Sequence, residues 1–282
     1  MCLNSGFSIF ATLADIYIMS VKDIIFRFVS TLSHRFCSVN TLGHGIHSPY
    51  LYYLVRFILY DDNSYYCYAP IERERARLMK ATKLIDVVDY GTGSSGKRTL
   101  STIARTSLMP VQDAQIVFRL AHFIRPYTVV ELGTSLGVTT TYLSCAVPSD
   151  ANIYSFEGSK ALIAEADKVL SKVGNRARVQ FVAGNIDDTL SDILASIEQV
   201  DLAIIDANHT QEAAVRYFDL IAAKCTGKSV VLMDDIRYSL PMYEAWKLIC
   251  ADSRVTSSFD LGDMGILFFD KQFLNKHYKL RI

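Results

Sequence analysis

The chain has 282 residues, half of them apolar, and carries 29 basic and 29 acidic side chains. That length and apolar share suffice for one sizeable core with an appendage. The balanced charge, with no long Lys/Arg run, leaves no electrostatic footprint for a polyanion, so nucleic acid is excluded as an expected partner. Six scattered cysteines without a CxxC pair lack the density of a disulfide scaffold and place the chain in the reducing cytoplasm.

The first thirty residues are apolar, but Asp15, Lys22 and Asp23 interrupt the run and no basic segment precedes it. Neither a signal peptide nor a stable membrane insertion is expected. Met19, just ahead of the amphipathic stretch Val21 to Leu32, is a second candidate start, which would leave residues 1–18 as an upstream extension. His44 and His47 lie three apart, yet Gly45 and Pro49 argue against a helical metal pair. The turn signal His47-Ser-Pro49 instead introduces an apolar helix over Leu51 to Leu59. The tyrosine-rich stretch Tyr50 to Tyr68 reads as core and docking surface rather than as a cofactor box.

The apolar run Leu84 to Val88 leads into the first of two glycine-rich loops, Asp89-Tyr-Gly-Thr-Gly-Ser-Ser-Gly-Lys97. From Gly91 to Lys97 it nearly spells a phosphate-binding loop. Arg98, however, stands where a Ser or Thr hydroxyl on magnesium is needed, and Thr99 comes one residue late. Residues 1–108 are read as a helical N-terminal cap that includes this loop, and residues 109–282 as the catalytic domain.

From about Thr128, buried apolar runs alternate with amphipathic helices, the pattern of a parallel α/β sheet. Five parallel strands are predicted at Thr128 to Glu131, Asn152 to Glu157, Val179 to Val182, Val200 to Asp206 and Ser229 to Asp234. A helix over Gln112 to Ile124 leads into the first of them. After a helix from Met242 to Cys250, the stretch Val255 to Phe269 turns at Gly262 to Gly265 and reads as a closing hairpin.

The second glycine loop, Glu131-Leu-Gly133-Thr134-Ser135-Leu-Gly137, follows the first of these strands and precedes a helix over Val138 to Ala146. This is the strand, turn and helix that a nucleotide-binding βα unit requires. The next strand ends in Glu157, placed to bind ribose hydroxyls, whereas the first loop has no such acid downstream. Ser135 stands where a dinucleotide fold carries its middle glycine, so a pyrophosphate cradle is not supported.

On these motifs the chain resembles the class I S-adenosylmethionine-dependent methyltransferases. Within them it is similar to the catechol and caffeoyl-coenzyme A O-methyltransferase-like group, over residues 109 to 270. The resemblance implies a Rossmann-like, mostly parallel seven-stranded sheet, here with an N-terminal helical extension. It also implies S-adenosylmethionine held by Glu131, Gly133, Thr134, Ser135 and Gly137, with Glu157 on the ribose, Asn185 and Ile186 flanking the adenine, and Asp206 beside it. In the resembling group, carboxylates that end the fourth and fifth strands hold a divalent metal. The matching residues here are Asp206, Asp234 and Asp235, whose hard oxygens suit magnesium, manganese or calcium. A lysine follows three residues after the first metal aspartate in that group; here the position is His209, which can accept a proton near neutral pH. His209 and Asp206 are therefore the candidate catalytic residues for O-methylation of a small-molecule acceptor.

Two other functions stay open at this stage. One is a nucleotide hydrolase that uses Gly91 to Lys97 as a phosphate-binding loop, and the other is a binding module that keeps the cofactor pocket without an acceptor site. The acceptor itself, and whether the chain forms a homodimer, are not readable from the residues.

Overall fold

The computed structural model describes residues 21–90, 95–174, 177–273 and 275–282. The proposed upstream extension, residues 1–18, and Gly91 to Ser94 of the first glycine loop lie outside the described residues.

The N-terminal region opens with helix α1 (Val21–Cys37). After a 3-10 turn at Thr41–Gly43 comes α2 (Pro49–Tyr53), which continues as a π-helical turn over Leu54–Leu59. The sequence signal for α2 works as expected: Ser48 is the N-cap, its hydroxyl accepting from the Leu51 N–H, and Pro49 sits where no N–H is needed. The carbonyls left free at the end of the π turn are met by the buried Arg119, whose guanidinium donates to Ile58 and Leu59 at 2.8 and 2.9 Å. Helix α3 (Tyr68–Leu78) follows. The tyrosine-rich stretch is only partly core: Tyr65 and Tyr68 pack edge-on against Phe118 at 4.9 and 5.2 Å between ring centres, while Tyr50, Tyr52, Tyr53 and Tyr66 are exposed.

Strands β1 (Leu84–Val87) and β2 (Gly96–Thr99) form an antiparallel hairpin that the sequence reading missed, and α4 (Leu100–Ser107) and α5 (Val111–Ile124) come next. The hairpin overturns the phosphate-loop alternative. In such a loop the Gly-Lys segment opens a helix whose N–H groups cradle phosphate. Here Lys97 lies inside β2, paired with Asp86, and the next helix begins only at Leu100.

All five predicted parallel strands are present: β3 (Thr128–Leu132), β4 (Asn152–Glu157), β5 (Arg178–Ala183), β6 (Val200–Ile205) and β7 (Cys225–Met233). The helices between them are α6 (Val138–Ala146), α7 (Lys160–Val173), α8 (Ile186–Ser196) and α9 (Gln211–Ala222). After α10 (Leu240–Cys250), β8 (Ser257–Asp260) and β9 (Gly265–Phe268) form the closing hairpin. These seven strands are extended by an eighth, β10 (Lys276–Lys279), giving the order β10-β8-β9-β7-β6-β3-β4-β5. The order reverses between β3 and β6, so the crevice for ligands opens at the carboxyl ends of these two strands.

Helices cover both faces, so the middle strands are apolar on both sides. One buried cluster runs from Ile46 in the N-terminal region through Phe118, Tyr142 and Ile153 to Leu280. The other joins α8, α9 and α10 to the opposite face through residues such as Leu190, Phe218 and Trp246. Helix α1 docks on the β8 edge. His34 is buried with Nε2 3.1 Å from the Asp260 carbonyl, and Asp260 also takes both prongs of Arg237 at 2.7 and 2.6 Å. Among the described residues, no helix is long and apolar enough to cross a membrane.

Candidate active site

The loop after β3 is shaped by the protein's own packing. Gly133 has φ +102, and a Cβ there would lie 1.9 Å from the Asp206 carbonyl oxygen at the end of β6. Its N–H and that of Thr134 both donate to the Phe156 carbonyl, which pins the turn to β4. Gly137 has φ +74, and a Cβ there would meet Ala166 of α7 at 2.6 Å, so this glycine permits close helix packing.

Glu131, the last acid of β3, is 1% exposed. Its Oε2 accepts from Thr140 and Ser155 at 2.6 and 2.5 Å, while Oε1 has no partner. Burial pushes its pKa up to about 7 against the help of those two hydroxyls, and the charges of Asp206 and Glu157 add to the rise. An orphaned acceptor in such a place costs about 1–3 kcal/mol, so the site is complete only with a donor from outside the chain.

Glu157, at the end of β4, faces the same loop. One oxygen accepts from the Ser135 N–H at 2.9 Å and the other from the Ser159 N–H at 2.9 Å. Among the described residues, the Ser135 and Ser159 hydroxyls are buried without partners. Ser135 itself is held at φ 48, a conformation that a side chain tolerates poorly. Tyr90, at the described end of the first glycine loop, lies against Gly158; a Cβ there would meet the Tyr90 ring at 2.6 Å. Asn185 is the N-cap of α8, its side-chain oxygen accepting from Asp187 N–H at 3.2 Å, and Ile186 opens that helix, one strand over from Glu157.

Beyond Gly133 the edge becomes acidic. Asp206 ends β6, and His209 and Asp235 stand on the loops after β6 and β7. Ligand atoms of these three lie within 4.8 Å of one another. Burial raises the Asp206 carboxyl to about 6, with His209 opposing and Asp235 reinforcing the shift. Asp234 lies outside this group of three: its Oδ1 accepts from the Asp235 N–H at 2.9 Å, and burial with the neighbouring aspartates holds its pKa well above the usual range. Asn208 and Asp235 both adopt positive φ, 49 and 54, so strain is stored on both loops that present the cluster.

Several residues of this edge were not picked out from the sequence. Asp113, in the first turn of α5, is pushed up to about 6 by burial and by the charges of Asp263 and Asp235. Arg27 of α1 reaches over the cluster, 3.7 Å from Asp235 and 3.9 Å from Asp263. Tyr238 stacks its ring 5.2 Å from His209 and lies under the Arg27 guanidinium. Asp263 had a local signal, the turn Gly262 to Gly265. Arg27 had none, because 179 and more residues separate it from every acid of the cluster except Asp113.

Comparison with known proteins bears on the domain and its fold. Residues 130–236 match the family model of a methyltransferase domain. The fold resembles an O-methyltransferase from Bacillus cereus in complex with S-adenosylhomocysteine, at 16% identity and TM-score 0.53, over 77% of this chain and 96% of that one. It also resembles the O-methyltransferase TomG of Streptomyces achromogenes, involved in tomaymycin synthesis and solved with S-adenosylmethionine (17%, TM-score 0.51, 58% of this chain and 82% of that one). A third likeness is to the S-adenosylhomocysteine-bound methyltransferase PaMTH1 of Podospora anserina (16%, TM-score 0.51, 58% and 81%). At these identities the structural likeness establishes the fold. A search of curated proteins finds no match to the chain. Residues 130–236 thus match a methyltransferase domain, and the chain shares its fold with methyltransferases solved with S-adenosylmethionine or S-adenosylhomocysteine.

Proposed function

We propose that the protein transfers the methyl group of S-adenosylmethionine to a hydroxyl of a small acceptor, with a divalent cation held at the acidic edge. The observation that carries this reading is a juxtaposition: Gly133 of the cofactor loop abuts the Asp206 backbone, and the Asp206 side chain belongs to the Asp206–His209–Asp235 group.

The residues present fit the cofactor. The free Oε1 of Glu131 suits a donor such as an ammonium, and Glu157, with the two unpartnered serine hydroxyls beside it, suits the ribose diol. Thr134, Gly137, Asn185 and Ile186 would complete the walls. When bound, the cofactor supplies an electrophilic methyl group on a positively charged sulfur. The chain must then hold the acceptor oxygen in line with that methyl and remove its proton.

The two carboxylates of this group also fit a divalent cation, which would lower the pKa of an acceptor hydroxyl. Asp206 and Asp235 would hold the cation and His209 Nε2 would take the acceptor proton, with Asp234 fixing the backbone of Asp235. Tyr90, against Gly158, would border the ribose side. Among the described residues the five cysteines form no disulfide.

Calorimetric titration with S-adenosylhomocysteine tests the cofactor assignment: binding that Glu157→Ala weakens is expected, and the absence of binding by the wild type would end it. Methyl transfer to a panel of catechols and other hydroxylated aromatics, run with and without EDTA, tests the rest. Turnover that EDTA leaves unchanged removes the cation from the reading, and transfer only to amines removes the O-methylation.

A further inference from the structure

Helix α1 is turned inside out for a helix on a soluble surface. The side chains it presents to the protein are largely polar: Arg27 over Asp235 and Asp263, and the buried His34 on Asp260. Of its aromatic residues only Phe26 turns inward, 6.0 Å from the Tyr243 ring. Its outward face carries Val21, Ile25, Phe28, Val29, Leu32 and Phe36, all between 43 and 79% exposed. Their spacing of three and four residues makes one unbroken stripe along a helix of 17 residues, about 26 Å long. An ordinary amphipathic helix buries such a stripe against its own core. Here the ion pairs on the opposite face hold it outward.

The charges on this face say what covers it. Its charged exposed residues are Lys22 and Arg35, one near each end of the stripe, and the face presents no exposed acid. Pairing with a second copy about the middle of the stripe would set Lys22 against Arg35 if antiparallel, because both pairs of positions, 22 with 35 and 21 with 36, sum to 57. A parallel pairing would set each cation against its own counterpart. In either case the cations gather at the same end of the pair, on opposite sides of the seam, and the face has no exposed acid to match them. An apolar stripe flanked by cations is instead complementary to the acyl chains and phosphates of a lipid leaflet. The twenty residues that precede Val21 continue the same chemistry in sequence, with Phe7, Ile9, Phe10, Leu13, Ile16 and Ile18 and the single acid Asp15.

We propose that α1 is an in-plane docking helix for an anionic phospholipid surface, lying on the leaflet without spanning it. Lys22 and Arg35 meet headgroup phosphates while Ile25, Phe28, Leu32 and Phe36 enter the acyl boundary. Because Arg27 sits on the reverse of the same helix, docking would bring the acidic edge of the candidate site close to the lipid surface. The proposal does not depend on the methyl-transfer reading, since lipid binding is measured without cofactor, cation or acceptor.

Sedimentation of the full chain with phosphatidylcholine vesicles, with and without phosphatidylglycerol, tests it. The wild type is expected to pellet with the mixed vesicles and less with phosphatidylcholine alone. Replacing Lys22 and Arg35 together by Gln should lower binding to the mixed vesicles roughly 25-fold, at about fivefold per basic residue. The pair Phe28→Glu and Phe36→Glu should abolish binding to both, with thermal melts checking that the fold is kept. Wild-type protein that stays in the supernatant overturns the proposal, and light scattering that then shows a dimer assigns the face to a second copy. Vesicle binding that neither pair of substitutions alters overturns it equally.

Discussion

The cofactor side of the site draws Glu131, Ser135, Glu157 and Ser159 from two neighbouring strands and the loops that follow them, whereas the acidic side gathers Arg27, Asp113, Asp206, Asp235 and Asp263 from five separate parts of the chain. The first is a local solution: strands adjacent in sequence are adjacent in the sheet, and short side chains converge across one crossover. The second exists only because the sheet order sets β6 beside β3 and because α1 folds back over the far edge. The cofactor side is also nearly satisfied, with only Glu131 Oε1 and the Ser135 and Ser159 hydroxyls left without partners among the described residues. The acidic side is frustrated, with Asp113, Asp206, Asp234 and Asp263 held above their ordinary pKa values and Asp235 and Asp263 drawn to a single arginine.

The largest expected effect comes from the point where the two sides touch. Gly133→Val places atoms inside van der Waals contact of the Asp206 carbonyl at a positive φ, and should cost about 3 kcal/mol or more of stability in a thermal or urea melt. It should abolish S-adenosylhomocysteine and Mn2+ binding together. Next, Asp206→Asn and Asp235→Asn should lower turnover on the order of 100-fold or more while cofactor affinity changes by no more than about threefold. Equal losses in both measurements would mean that the two sides are a single unit. Glu157→Ala is the mirror test. It should weaken S-adenosylhomocysteine by roughly 10–100-fold in calorimetry, because it removes a charged acceptor and frees the Ser135 and Ser159 N–H groups, and should leave Mn2+ titration unchanged.

A smaller effect follows from Glu131. Its carboxyl is raised from 4.5 to about 7, so the protonated form favours the folded state: that stability is fully present below pH 4.5 and is lost as pH rises through about 7. Melting of the cofactor-free protein should therefore fall by a few degrees across this window relative to Glu131→Gln. If the free oxygen receives an ammonium, S-adenosylmethionine affinity should instead rise with pH through the same window, and Glu131→Gln should flatten the profile. The smallest effect is expected at Arg27, whose long and partly exposed ion pairs contribute about 0–1 kcal/mol. Arg27→Gln should tighten Mn2+ binding a few-fold by removing a competing cation and leave the cofactor untouched.

The strand-ending residues Glu131, Glu157, Asp206 and Asp234-Asp235 were legible because parallel strands buried on both faces show as short apolar runs, and the polar residue that ends each run marks the carboxyl edge. The β1–β2 hairpin was hidden because the short β2, Gly-Lys-Arg-Thr, is polar throughout and its pairing with β1 is not a local property. Which of the two aspartates after β7 joins His209 also could not be read. That depends on Asp235 adopting φ 54, which turns its side chain toward the cluster, while Asp234 turns inward and fixes the Asp235 N–H.

By itself, the order of apolar runs, glycines and terminal acids determined a parallel α/β sheet with a nucleotide-type loop after its first strand, since each of those signals arises from contacts within a few residues or across one crossover. Only the tertiary structure decided that Lys97 lies in a hairpin rather than a phosphate loop, that Gly137 serves helix packing, and that Arg27 closes the acidic edge. The physical reason is range. Strand burial and turn conformation are local, whereas packing clearances and the pairing of charges depend on distances between segments that the linear order of residues does not contain.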